Sequence, residues 1–190
     1  MKIEPYIETS IGRKFYLLAE YPGFNIAEIA HALSNACRYG GHCSQYYSVA
    51  EHSVLVSEIA EELDLCDPFE ALMHDASEAY ICDIPGPWKH MLPDYQALEA
   101  QLEWKLQEFF KLPKKTTGCK EADLIALMVE GRALLTSRGE SMIEGGIPGH
   151  YGPAADAWIA THGRSVFGLS PAGARTSFMH RYEKLMRKRK

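Results

Sequence analysis

The chain has 190 residues, 46% of them hydrophobic and 24% charged, with a formal net charge of −5; this is an ordinary globular composition and excludes disordered and fibrous classes. Six of the twenty basic residues fall in the last ten positions (Arg181, Lys184, Arg187, Lys188, Arg189, Lys190), so the first 180 carry 14 basic against 24 acidic residues. Such a body suits divalent cations and is a poor partner for duplex nucleic acid, which requires clustered positive charge.

In chain order, the first predicted element is a short hairpin, Tyr6–Thr9 and Lys14–Leu17 around Ser10-Ile11-Gly12. Ile26, Ile29, Ala30, Leu33 and Cys37 then recur at helical spacing behind an Asn25 cap, with Gly40-Gly41 as the stop. Ser48-Val49-Ala50-Glu51 is a capping box that opens a second helix through Val56, Ile59, Ala60 and Leu63. A third helix starts at Asp67-Pro68 and is expected to run to about Cys82, where Asp83-Ile84-Pro85-Gly86-Pro87 forces a loop. A fourth begins near Asp94, and a fifth spans roughly 120–136. Residues 137–153 read as a loop, and shorter helices follow near 154–161 and 171–188. The expected fold is all-α with a small N-terminal β-hairpin, one domain over 1–190. Met91, Met128, Trp104, Phe109 and Phe110 sit at helical spacing and are expected in the core.

No apolar run approaches the ~18 residues of a membrane span, and the N-terminus lacks the apolar core of a secretory signal. The five cysteines are odd in number and form no C-x-x-C pair, so reduced thiols and a cytoplasmic location are expected. The basic tail reads as a solvated helix end, with a contact to nucleic acid or a neighbouring subunit as the alternative.

Histidine placement carries the chemistry. His52 falls in the first turn of the second helix, and His74-Asp75 in the middle of the third. Adjacent helical residues point about 100° apart, so both border one cavity, and Glu78 shares their face. Two imidazoles and carboxylates converging inside a helical bundle are costly unless paired, and a divalent metal pairs them. Asp123 opens the apolar run Leu124–Met128, and Glu130, seven residues on, shares its face as a supporting partner. His31 and His42 read as packed or exposed histidines, with extra polar lining or additional ligands as the alternative.

The order His52, His74-Asp75, Asp123 resembles the H…HD…D pattern of the HD-domain phosphohydrolase superfamily. Val49-Ala50-Glu51-His52-Ser53, His74-Asp75-Ala76-Ser77-Glu78 and Asp83-Ile84-Pro85-Gly86-Pro87 resemble signatures of the bacterial 5′-deoxynucleotidases and their phage relatives. Ile29–Ser34 and Cys37–His42 resemble a phage and prophage branch that includes dATP triphosphohydrolases. The similarity covers about residues 5–135, with its recognisable core at 25–136 and a helical extension at 154–190. It implies His52, His74, Asp75 and Asp123 as ligands of one divalent ion. Two nitrogen and two oxygen donors suit Co²⁺, Mn²⁺, Fe²⁺ or Zn²⁺ and do not choose among them. It further implies Glu78 and Asp83 as catalytic carboxylates. Arg38, Tyr39 and Lys89 become substrate contacts, although Tyr39 stands where that subgroup has tryptophan. The expected activity is metal-dependent hydrolysis of deoxynucleotides, either monophosphates or triphosphates, dATP in particular. The alternative is a non-catalytic regulatory module that binds a nucleotide or metal. A homo-oligomer is compatible with the resemblance, but no interface patch is readable.

Overall fold

The computed structural model describes residues 4–114, 116–163 and 167–189; Lys190 of the basic tail lies outside the described residues. Two antiparallel strands, β1 (Ile7–Glu8) and β2 (Lys14–Phe15), form the hairpin, with Ile7 opposite Phe15. Phe15 is buried and stacks on Tyr80 at 4.0 Å, and Arg13 closes on Glu28 at 2.6 Å, so the hairpin straps down the first helix. That helix, α1 (Ile26–Asn35), starts where the Asn25 side chain accepts the Ala27 N–H at 2.8 Å. It buries Ile29, Ala30 and Leu33.

α1 ends five residues before Gly40, and the glycine pair is not its stop. Ala36 and Cys37 turn extended, and Cys37 bridges to Ser48. Arg38 N–H then bonds Tyr47 O at 2.9 Å and Val49 N–H bonds Ala36 O at 3.0 Å. Residues 38–47 are therefore an excursion pinched at its base, beside the start of α2 (Val49–Glu62). The pinch satisfies backbone groups that a longer helix would have satisfied itself.

α2 is the central element. Its capping box forms as the sequence predicts: the Glu51 N–H bonds Ser48 Oγ at 3.2 Å and Glu51 Oε2 accepts the Ser48 N–H at 3.0 Å. α1, α3 (Pro68–Met73), α7 (Thr117–Leu134) and α10 (Pro171–Lys188) all pack on it. Neighbours on all sides bury every residue from Val49 to Ser57, which is why His52 has no exposed surface. One apolar cluster gathers Leu33, Phe69, Leu72, Leu102 and Phe178. A second joins Ile59, Ile125, Met128 and Trp158, and α2 contributes to both.

The third helix is interrupted, contrary to the expectation of one helix to Cys82. α3 stops at Met73, and α4 (Glu78–Ile81) follows a tightened stretch held by i→i−3 bonds, Ala76 N–H to Met73 O and Glu78 N–H to Asp75 O. His74 Nδ1 bonds the Ala71 carbonyl at 2.8 Å, to which the Asp75 N–H would bond in a continuous α-helix. The chain continues through α5 (Gly86–Lys89) and α6 (Pro93–Phe110) to α7. The 137–153 segment is not only loop: it contains α8 (Glu140–Glu144) and a 3₁₀ turn at Gly149–Tyr151. α9 (Gly152–His162) and α10 follow. Met128 is core, but Met91, Trp104 and Phe109 are not, being 78%, 60% and 52% exposed. α6 buries only Leu102 and Leu106, so Trp104 faces outward. Among the described residues no helix is long and apolar enough to cross a membrane.

Candidate metal centre

Three elements bring four side chains to one point. The first turn of α2 supplies His52, the tightened turn after α3 supplies His74 and Asp75, and the second turn of α7 supplies Asp123. His52 Nε2 lies 3.3 Å from His74 Nε2, 3.3 Å from Asp123 Oδ1 and 3.5 Å from Asp75 Oδ2. His74 Nε2 lies 3.1 Å from Asp75 Oδ2. Donor atoms about 2.1 Å from a common ion stand about 3.0 Å apart at right angles and about 3.4 Å apart at the tetrahedral angle. The four separations above, 3.1–3.5 Å, are close to those edge lengths. His52, His74 and Asp123 offer ligand atoms that all lie within 4.8 Å of one another and could hold a metal ion; Asp75 joins them through both imidazoles.

Each imidazole is oriented from behind. His74 Nδ1 donates to the Ala71 carbonyl, which can only accept, and this turns Nε2 towards the centre. His52 Nδ1 meets Glu130 Oε1 at 2.5 Å, which likewise turns Nε2 towards the centre. The sequence places Glu130 with Asp123 on one helical face, but its partner is His52. It also accepts hydrogen bonds from Tyr47 Oη at 3.0 Å and from Tyr39 Oη, and Arg38 Nε lies 3.4 Å away.

The centre opens on a cleft of about 380 Å³. His74, Asp75 and Asp123 line it, together with Arg38, Glu78, Asp83 and Lys89 from the sequence-derived set. Lys89 Nζ is 2.7 Å from Glu99 Oε1 and 3.6 Å from Glu78 Oε1. Arg38 Nη1 is 3.7 Å from Asp75 Oδ2, while its buried Nε makes no hydrogen bond: the Glu130 contact is an ion pair without donor geometry. Glu78 Oε2 is also buried without a partner. His52 closes the site from beneath without lining the cleft. Tyr39 does not line it either, because its hydroxyl is committed to Glu130. His42 is exposed, and His31 faces a separate pocket beside the hairpin. Glu99 and Lys120 were not legible as site residues; Lys120 lines the cleft and pairs with Asp123 Oδ2 at 2.7 Å. An i,i+3 Lys–Asp spacing is too common to single it out.

No family model matches the chain. It is 39% identical over 191 residues to Uncharacterized protein YfdR of Escherichia coli (strain K12), a match that covers 97% of this chain and 98% of that one. The chain belongs to the YfdR family.

In this YfdR-family chain the charges at the centre are strongly polarised. Burial alone would raise the pKa of Asp75, but His74, His52 and Arg38 outweigh it and hold the carboxyl well below the usual range. Asp123 is lowered for the same reason, with burial opposed by its hydrogen bond to His52. Burial and Arg38 both work against a charge on His52, yet Glu130 and Asp123 reverse them and lift its pKa to about 9. Glu78 moves the opposite way from its neighbours: burial first, then Asp75 and Asp83, push it well above the ordinary carboxylate value. Burial also raises Asp83, partly offset by Arg38. The centre thus sets two carboxyls held low in pKa beside two held high, a division suited to acid–base work.

Proposed function

We propose that the chain is a divalent-metal-dependent phosphohydrolase of the HD superfamily, acting on small deoxynucleotides as monophosphates or triphosphates. The observation that carries this reading is the convergence of His52, His74, Asp75 and Asp123 at metal-ligand separations on a cleft also lined by Arg38 and Lys89. The H…HD…D order and its accompanying motifs support the same reading.

A divalent cation bound there supplies Lewis acidity, which acidifies water and neutralises charge developing on phosphoryl oxygens. The chain's own groups do the rest. Arg38 presents its fork to a phosphate, and Lys89, held between Glu99 and Glu78, exchanges one carboxylate for the incoming anion. Glu78, whose Oε2 has no partner, takes a proton from the attacking water or gives one to the leaving oxygen, and Asp83 is the second group placed for proton transfer. His52 keeps the floor of the site dry, because no solvent reaches it.

The test is incubation of metal-stripped protein with Co²⁺ or Mn²⁺ and each deoxynucleoside mono- and triphosphate, with products separated by chromatography. Nucleoside plus orthophosphate identifies a 5′-nucleotidase, and deoxynucleoside plus tripolyphosphate a triphosphohydrolase. Tight nucleotide binding without turnover under any metal would refute the enzyme reading and leave a regulatory module.

A further inference from the structure

Glu130 is a buried carboxylate engaged by four side chains, and it does not line the cleft. It has no exposed surface, sits about three-quarters of the way along α7, and is ringed by groups from two other segments. Oε1 takes His52 Nδ1 at 2.5 Å and Tyr47 Oη at 3.0 Å. Oε2 takes Tyr39 Oη and lies 3.4 Å from Arg38 Nε. Tyr39 is in the left-handed region, φ 58°, a conformation that costs a non-glycine residue energy unless the surroundings impose it. The hydroxyl anchor on Glu130 is one contact that holds this turn, next to Arg38, whose side chain lines the cleft. One carboxylate therefore fixes a metal-ligand imidazole with one oxygen and the guanidinium arm with the other.

We propose that Glu130 is a positioning residue serving both halves of the site, holding His52 in the tautomer that frees Nε2 and holding the Arg38–Tyr39 turn that presents the cation to phosphate. The inference rests on the reading of His52 as a metal ligand and Arg38 as an anion contact. It adds that one buried group, touching neither ligand, sets both affinities. Removing such an outer partner of a metal-ligating histidine costs about 10–100-fold in metal affinity.

The experiment uses the full chain and two probes measured separately by calorimetry: Co²⁺ alone, and inorganic phosphate alone on the metal-free protein. In Glu130→Gln, which keeps the shape, Co²⁺ binding is expected to weaken about 10–100-fold and phosphate binding several-fold, with an altered visible spectrum of the bound Co²⁺. Tyr39→Phe cuts only the Oε2 arm, so it should weaken phosphate and leave Co²⁺ within about twofold. Far-UV circular dichroism establishes that each variant is folded, and Tyr39→Phe keeps the test open if Glu130→Gln is not. Loss of only one of the two affinities in Glu130→Gln overturns the shared role, as does Tyr39→Phe leaving phosphate binding intact. A wild-type chain that binds no Co²⁺ overturns the metal reading itself, a result distinct from a wild type that binds and a variant that binds equally well.

Discussion

Binding of a divalent ion should be a competition with one proton at His52. In the metal-free protein His52 Nε2 faces Asp123 Oδ1 and Asp75 Oδ2, 3.3 and 3.5 Å away, and the His52 pKa is lifted to about 9. At pH 7 only about one molecule in a hundred has the proton off, so affinity for Co²⁺ or Mn²⁺ should lie ~100-fold below its plateau and rise ~tenfold per pH unit up to that value. Stability of the metal-free protein runs the other way. A histidine whose folded pKa exceeds its unfolded one contributes stability that is complete below about 6.5 and is lost as pH climbs through about 9, roughly 3 kcal/mol in all. Calorimetry in buffers of different ionisation enthalpy should show close to one proton released per metal at pH 7. Thermal melts of the metal-free chain should fall across pH 6.5–9. An affinity flat over that range, with no proton release, would refute this account of the centre.

Four further outcomes test other parts of the structure. Asp75→Asn should lose bound metal by at least ~100-fold and all turnover while its circular dichroism is unchanged; retained metal would remove Asp75 from the ligand set. Glu78→Gln should keep its metal but lose most turnover and flatten the pH–rate profile, since this carboxyl titrates well above its ordinary range; a profile of unchanged shape would argue against a proton-transfer role. In Gly118→Ala the new Cβ would stand 1.9 Å from the Leu65 carbonyl oxygen, so denaturant titration should show a loss of about 1–3 kcal/mol. Metal affinity should fall with it as the start of α7 shifts Asp123, and an unaffected variant would contradict the tight approach. Leu33→Ala, at a fully buried position of α1, should cost about 2–5 kcal/mol by the same titration without altering metal affinity.

The parts of the fold legible in the sequence are those governed by local chemistry. The Ser48–Glu51 capping box, the Asn25 cap and the hairpin depend on residues within a few positions of one another, and each forms as read. The errors arise where distant contacts override local pattern. The helix predicted across His74 is interrupted where its imidazole takes up the Ala71 carbonyl, and nothing in the Leu-Met-His-Asp-Ala run announces that. Trp104 and Phe109 have core-like spacing, but α6 is covered on one side only. Among the site residues, His52, His74, Asp75 and Asp123 could be grouped by order along the chain, and the fold brings them together. Glu130 was legible as a supporting partner on the Asp123 face, but not as the partner of His52, because a shared helical face says nothing about which other helix lies across from it. Tyr39 reads as a stacking ring, whereas its hydroxyl is held behind the site.

Glu51 gives the C-terminal third of the chain a status that motif similarity does not. With one oxygen it closes the start of α2, next to His52, and with the other it accepts the backbone N–H groups of Gly168 and Leu169 at 3.0 and 2.9 Å. α10 then lies along α2, where Arg181 reaches Ser57 and Glu61 at 2.6–2.9 Å. Cutting the chain where the recognisable motifs stop would strand the buried Glu51 carboxylate beside His52 and uncover the far side of the central helix. The end of the motif similarity is therefore not a folding boundary. Any fusion, truncation or transplant of this centre has to carry residues 167–189 with it, although none of them approaches the cleft.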